Sequence, residues 1–136
     1  MTDFKYSYLY LLFLYYFNYK RDYYECHDVL EELWLEEQRN KFLQGLLQVA
    51  VGLYHFKWKN VAGSILLFEA AVEKLEPYPD LMGGINLGRL KAESKAYLYK
   101  LRNYHEDPFE FYDVTIEIVD EELSEMVASI QRELES

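Results

Sequence analysis

The chain has 136 residues, of which 51% are hydrophobic and 18% aromatic, with one cysteine and a net charge of −10. That composition excludes extensive disorder and an internal disulfide, and it fits one domain spanning 1–136 that builds its core without staples in a reducing compartment. Three prolines and six glycines are too few for a many-turned β fold, so the expected class is all-α.

The first predicted helix covers residues 4–18 and is apolar on nearly every side. Its segment YSYLYLLFLYYFNY is too short to span a bilayer and has no small-residue cleavage site after it. A second helix runs from Asp22, as N-cap, to Gln38. Asn40 caps a third, which ends near Lys57, and its apolar stretch FLQGLLQVAVGLYHF reads as a buried helix because two glutamines and a histidine interrupt it. Asn60 caps a fourth, with Val61, Ile65, Phe68, Val72 and Leu75 at helical spacing up to Glu76 and Pro77.

The loop PYPDLMGG breaks the pattern before Asn86 opens a fifth helix with Leu90, Ser94, Tyr97, Leu98 and Leu101 on one side. Beyond Pro108 the period changes to two. Val114, Ile116 and Ile118 alternate with Asp113, Thr115 and Glu117, as in an extended arm that lies on the bundle or pairs with another copy. Asp120 then caps a last helix with Leu123, Met126, Val127, Ile130 and Leu134 on one face. The expectation is a single-domain bundle of five to six helices, the second and third central, with an extended C-terminal arm.

All of the net charge lies in residues 104–136, which hold 11 acids against Arg132. Such a tail repels a phosphate backbone and keeps the protein in solution, so neither nucleic acid nor a membrane is an expected partner. A cytoplasmic location is expected. The tyrosine-rich first helix and the lone arm leave a homo-oligomer, such as a homodimer, open.

Candidate chemistry concentrates in YYECHDVLEELWLEE, residues 23–37. On a helical wheel Trp34 falls closest to His27, followed on the same side by Tyr23 and then Leu30. Asp28, Glu25, Glu32 and Glu36 fall on the far face, and Cys26 points off to the side of the row. This phase predicts His27 on the buried stripe with Glu31 as its bordering partner, since an unpaired buried carboxylate is costly. On the third helix Gln44, Gln48 and His55 form a matching polar row. Gly45 and Gly52 on that helix are tolerable where a neighbour approaches closely.

The runs FNYKRDYYECHDVLEELW, FLQGLLQVAVGLYHFKWKNVAGSILLFEAAVEKL and GGINLGRL, in that order and spacing, resemble the family catalogued as domain of unknown function 309. The resemblance extends over about residues 17–101, followed by the acidic extension 104–136. It places motif positions on Asn18, Tyr23, His27, Glu31, Trp34, Gln44, Gly45, Gln48 and His55. Asp28 stands where the family commonly has glutamate, and Asn86 where aspartate is usual; both keep local capping or polarity. The resemblance implies a small all-helical, cytoplasmic, mainly prokaryotic protein, and no established reaction.

Three readings of the polar residues follow. In the first they are a structural network fixing helix register. In the second they form a small-molecule or protein-interaction site of Tyr23, His27, Glu31, Trp34, Gln44, Gln48 and His55. Trp34, Tyr23 and Tyr54 would then line an apolar cavity, with the alternative that His27 and Glu31 are a catalytic general-base pair in a hydrolase-like enzyme. The third is a metal site of His27, Glu31 and His55, disfavoured because Glu-x-x-His pairs are absent and amides are poor zinc ligands. No cofactor is expected, the Gly83–Gly84 pair being too weak a signal for phosphate binding.

Overall fold

Helices start here where a short polar side chain can take up an amide of the first turn. The computed structural model describes residues 4–136, and in it Asp22, Asn40, Asn60, Asn86 and Asp120 accept from the backbone N–H of Glu25, Leu43, Gly63, Arg89 and Leu123. These caps open α2 (Tyr23–Glu36), α3 (Lys41–Lys57), α4 (Val61–Leu75), α5 (Leu87–Arg102) and α6 (Glu121–Glu135). Ahead of them α1 (Tyr8–Tyr15) has no side-chain cap; it runs on as a π-helical stretch, Tyr16–Lys20, and stops at Arg21, whose φ is 54°. A short 3-10 turn, Phe4–Tyr6, precedes it.

The fold is an all-α bundle in which neighbours follow the succession α6, α1, α2, α3, α4, α5. The second and third helices therefore lie mid-succession. α3 is the most deeply set, with Phe42, Leu43, Leu46, Val49, Ala50, Leu53 and Phe56 buried. α1 is buried through Tyr10, Leu11, Phe13, Leu14 and Tyr15, which assigns most of its aromatics to core packing. Gly45 and Gly52 face α4: a Cβ at Gly45 would meet Leu75 Cδ2 at 2.5 Å, and one at Gly52 would meet Phe68 at 2.9 Å. The buried Ser64 hydroxyl donates to Gly52 O at 2.8 Å across the same contact. Close approach is the role expected of these glycines, with α4 as the neighbour.

The PYPDLMGG loop contains more order than a break. Leu81–Met82 (β1) and Ile85–Asn86 (β2) form an antiparallel hairpin in which Met82 pairs with Ile85. Gly83 and Gly84 are its two turn residues, both at positive φ (60° and 76°) as a type I′ turn requires. Ile118 of the arm forms a bridge to Ile85, and Val119 N–H donates to Gly84 O. The arm lies on the bundle, with Val114 and Ile116 buried. At its start Phe109 and Tyr112 pack with Tyr97, whose hydroxyl donates to Tyr112 O.

Candidate functional site

The buried stripe of α2 is Tyr23, Cys26, Leu30 and Leu33. On the helical wheel all four fall to the same side of His27, so the stripe centres roughly a quarter-turn away from the histidine. The expected phase is corrected by that rotation. Cys26 is wholly buried, its thiol 3.7 Å from Phe13 O, and burial pushes its pKa well up. His27 sits on the flank with 40% of its side chain exposed, and Glu31 is 49% exposed. The physical reason is that Cys26 and Leu33 bury without needing polar partners, whereas the His27 ring carries an N–H and a lone pair that do.

His27 Nε2 lies 3.3 Å from Glu31 Oε2, and Nδ1 lies 3.3 Å from Asp28 Oδ1. Both ring nitrogens thus face carboxylates of the same helix. A neutral ring carries one N–H and serves one of them at a time. The second histidine is held differently. Asn60 Oδ1 accepts from Gly63 N–H at 2.9 Å, which fixes the amide and leaves Nδ2 to donate to His55 Nδ1 at 3.2 Å. His55 Nδ1 is therefore the acceptor, and the ring hydrogen is on Nε2.

The two histidines share a wall of one cavity. A space of about 160 Å³ is lined by Tyr23, Tyr24, His27, Val51, Tyr54 and His55. Beside it a wider groove of about 380 Å³ is lined by Lys20, Arg21, Asp22, Tyr23, Tyr24, Tyr54, Lys57 and Trp58. Tyr23, Tyr24 and Tyr54 line both, so the two spaces adjoin at the end of the α2–α3 pair where α2 begins and α3 ends.

Of the residues expected at a site, Tyr23, His27 and His55 line this cavity, as does Tyr54. Glu31 meets it only through His27. Trp34, Gln44 and Gln48 do not line it. Trp34 and Gln48 nevertheless share a feature: the indole N–H and Gln48 Oε1 are each buried with no hydrogen-bond partner among the described residues. Gln44 is half-buried on the same flank. Among the described residues no group of three His, Cys, Asp or Glu side chains is placed to hold a metal ion, so His27, Glu31 and His55 do not form one.

Tyr24, Val51, Lys20, Arg21, Asp22, Lys57 and Trp58 complete the lining and were not picked out as site residues. Tyr24 stands one turn before His27, and the KRD run directly precedes α2. Those were the available signals.

The back of the groove is braced by the arm. Tyr23 is buried, and its hydroxyl donates to Asp113 Oδ1. Burial first, then the Asp113 carboxylate, push its pKa up. Arg21 Nη1 donates to Val114 O at 2.6 Å and Nη2 to Thr115 Oγ1 at 2.7 Å. Asn18 reads the backbone of Ile116 as a neighbouring strand would: Nδ2 donates to its carbonyl at 2.8 Å and Oδ1 accepts from its N–H at 2.9 Å. Two motif positions, Asn18 and Tyr23, thus anchor the arm.

The fold and groove define a small helical domain with an aromatic, histidine-walled recess between two antiparallel helices. Residues 10–67 match the family described as Domain of unknown function (DUF309), the family that the sequence resembles. The match covers most of α1, all of α2 and α3 and the first half of α4, and so includes every residue lining the groove.

The chain is 39% identical over 70 residues to the uncharacterized protein YpuF of Bacillus subtilis (strain 168), covering 49% of this chain and 40% of that one. It is 34% identical over 74 residues to an uncharacterized protein of Aquifex aeolicus (strain VF5), covering 52% of this chain and 22% of that one. The aligned segment therefore spans less than half the length of either relative. No solved structure matches. Among the described residues no helix is long and apolar enough to cross a membrane.

Proposed function

We propose that the chain is a small-molecule-binding module whose site is the recess between α2 and α3. The observation that carries this reading is the recess itself. Two half-exposed histidines and three tyrosines surround about 160 Å³ and adjoin a larger groove, where a scaffold would have closed the helices together. Ligand sites combine apolar and aromatic walls with a few placed polar groups, and this recess has that composition. Tyr23 is the rigid floor, since both its ring and its hydroxyl are held. His55 contributes a donor at Nε2, the ring nitrogen left over by Asn60.

Binding suits the geometry better than general-base catalysis. A base needs a nitrogen within reach of the substrate proton, and both nitrogens of His27 are turned to Asp28 and Glu31. Glu31 in this reading orients His27 and does not touch the ligand. Trp34, Gln44 and Gln48 lie outside the recess and take no part in this reading.

A metabolite thermal-shift screen of the wild type beside His27→Ala and Val51→Phe tests the site. Val51 is partly exposed on the cavity wall, so a phenylalanine there fills space without entering the core. A compound that stabilises the wild type should lose its effect in Val51→Phe and be weakened in His27→Ala. An equal shift in all three proteins would place the ligand elsewhere and remove the proposal.

A further inference from the structure

The charge around the groove has the opposite sign to the protein. The chain carries −10, yet Lys20, Arg21 and Lys57 all line one groove, where Asp22 is the single lining carboxylate among the described residues. One oxygen of Asp22 is already occupied in capping α2. None of the three cations is ion-paired with a carboxylate among the described residues. Arg21 serves a carbonyl and a hydroxyl, and Lys57 is set 6.0 Å from the centre of the Phe111 ring. Four of the other eleven cations, Lys5, Arg89, Lys95 and Arg102, have acidic partners. Converging cations left unneutralised along one groove favour an anion there.

The aromatic walls add the second half of the ligand. Tyr24 and Trp58 are 55% and 70% exposed, Tyr54 stands between them at 5.9 Å and 6.5 Å ring to ring, and His55 adjoins Tyr54 at 6.1 Å. Flat faces of this kind take a planar ring. They could equally form a cage for a cation, but the three positive groups on the same lining oppose that occupant. A polyanion is disfavoured too, since the groove is short and the acidic C-terminal segment would repel it.

Building on the small-molecule reading above, we infer that the ligand class is a planar, unsaturated ring bearing one anionic group, phosphate or carboxylate. Its ring enters the Tyr24–Tyr54–His27–His55 recess, and its anion sits against Lys20, Arg21 and Lys57.

Titration of the full chain, followed by protein-observed NMR, separates this inference from the broader one. The probes are phenyl phosphate, benzoate, phenol, phenyltrimethylammonium and inorganic phosphate. Phenyl phosphate or benzoate should bind the groove about tenfold more tightly than phenol, the scale of a few partly screened charge contacts. Which of the two anions leads identifies the anionic group. Inorganic phosphate should bind more weakly than phenyl phosphate. The double variant Lys20→Glu/Lys57→Glu, altered at two exposed positions, should abolish the preference for the anionic rings while leaving phenol unchanged.

Phenol equal to both anions, or phenyltrimethylammonium ahead of them, would overturn the anion assignment and leave a small-molecule recess standing. Inorganic phosphate equal to phenyl phosphate would remove the ring half of the inference. No probe shifting any groove resonance, with the screen above also silent, would overturn both readings. A short single-stranded oligonucleotide binding more tightly than phenyl phosphate would replace the small-molecule class.

Discussion

Two polar clusters sit within a few residues of each other at the start of α2, and they are built in opposite ways. Asn18, Arg21 and Tyr23 reach partners 90 or more residues ahead in the chain, on the arm, through part-buried bonds. Among the described residues the side chains of His27, Asp28 and Glu31 pair only with one another, within one and a half turns of the same helix, and all three are 40% or more exposed. Long-range polar bonds with little access to water fix the fold, because breaking one strands its partner. Short-range exposed ones contribute little to it. The comparison assigns the first cluster to stability, with Arg21 and Tyr23 also lining the groove, and gives the second little part in holding the fold.

The largest effect should come from removing what the first cluster holds. A chain ending at Asp107 loses Val114, Ile116, Leu123, Val127 and Ile130, all buried. Each is worth about 1.5–3 kcal/mol of burial, against a total stability of about 5–15 kcal/mol. The truncated chain should fail to give a cooperative unfolding transition by circular dichroism. A truncated protein that melts normally and changes only its mass in light scattering would mean that the arm serves assembly rather than the bundle.

Next comes Asn18→Ala, which leaves both the N–H and the carbonyl of Ile116 without a side-chain partner. A loss of about 2–4 kcal/mol in denaturant titration is expected, from two orphaned backbone groups. Tyr23→Phe keeps the ring on the cavity floor and removes only the bond to Asp113, so about 1–2 kcal/mol should go. If Tyr23→Phe is neutral while Asp113→Asn is costly, Asp113 acts through a partner other than the tyrosine.

What the sequence disclosed divides along the same line. The caps Asp22, Asn40, Asn60, Asn86 and Asp120 were legible because a cap depends on residues three positions apart. The face of α5 was legible because Leu90, Tyr97, Leu98 and Leu101 admit one phase. α2 admits two, since Tyr23 and Leu30 fit either, and the choice fell to His27 and Trp34 against Cys26 and Leu33. Centring the stripe on His27 and Trp34 gave the wrong one, and Glu31 went with it. The Asn18–Ile116 pairing was out of reach, because nothing local to residue 18 marks a backbone 98 positions away. The recess was half legible: its histidines and Tyr54 were named, its cations were not.

A smaller, pH-dependent effect should appear at the other edge of the arm. Asp120 is paired to Lys5 at 2.8 Å, accepts from Tyr6 at 3.0 Å and caps α6. The Lys5 ammonium first, and the Leu123 amide second, hold its pKa down at about 2. A carboxylate with a depressed folded pKa stabilises above its unfolded value, near 4, and loses that contribution as pH falls toward 2. Lys5→Met should flatten the stability profile across that window and leave it unchanged near neutrality apart from a constant offset. An unaltered acid limb in Lys5→Met would assign the low-pH loss to other carboxylates.

The smallest effect is expected at Glu31, where the geometry reverses what the sequence suggested. With a buried Glu31 holding an interior histidine, Glu31→Ala would cost several kcal/mol and Glu32→Ala almost nothing. With Glu31 half exposed and its histidine partner also served by Asp28, the pair is an i, i+4 surface contact. Such contacts are worth about 0.3–0.5 kcal/mol, so Glu31→Ala should lie within about 0.5 kcal/mol of Glu32→Ala. The two variants should instead separate in ligand response. Loss of Glu31 frees His27 Nε2 at the cavity wall, so a compound that stabilises the wild type should shift Glu31→Ala by a different amount, and Glu32→Ala by the same amount. A Glu31→Ala cost above about 2 kcal/mol would return the histidine pair to the structural cluster and erase the distinction between the two.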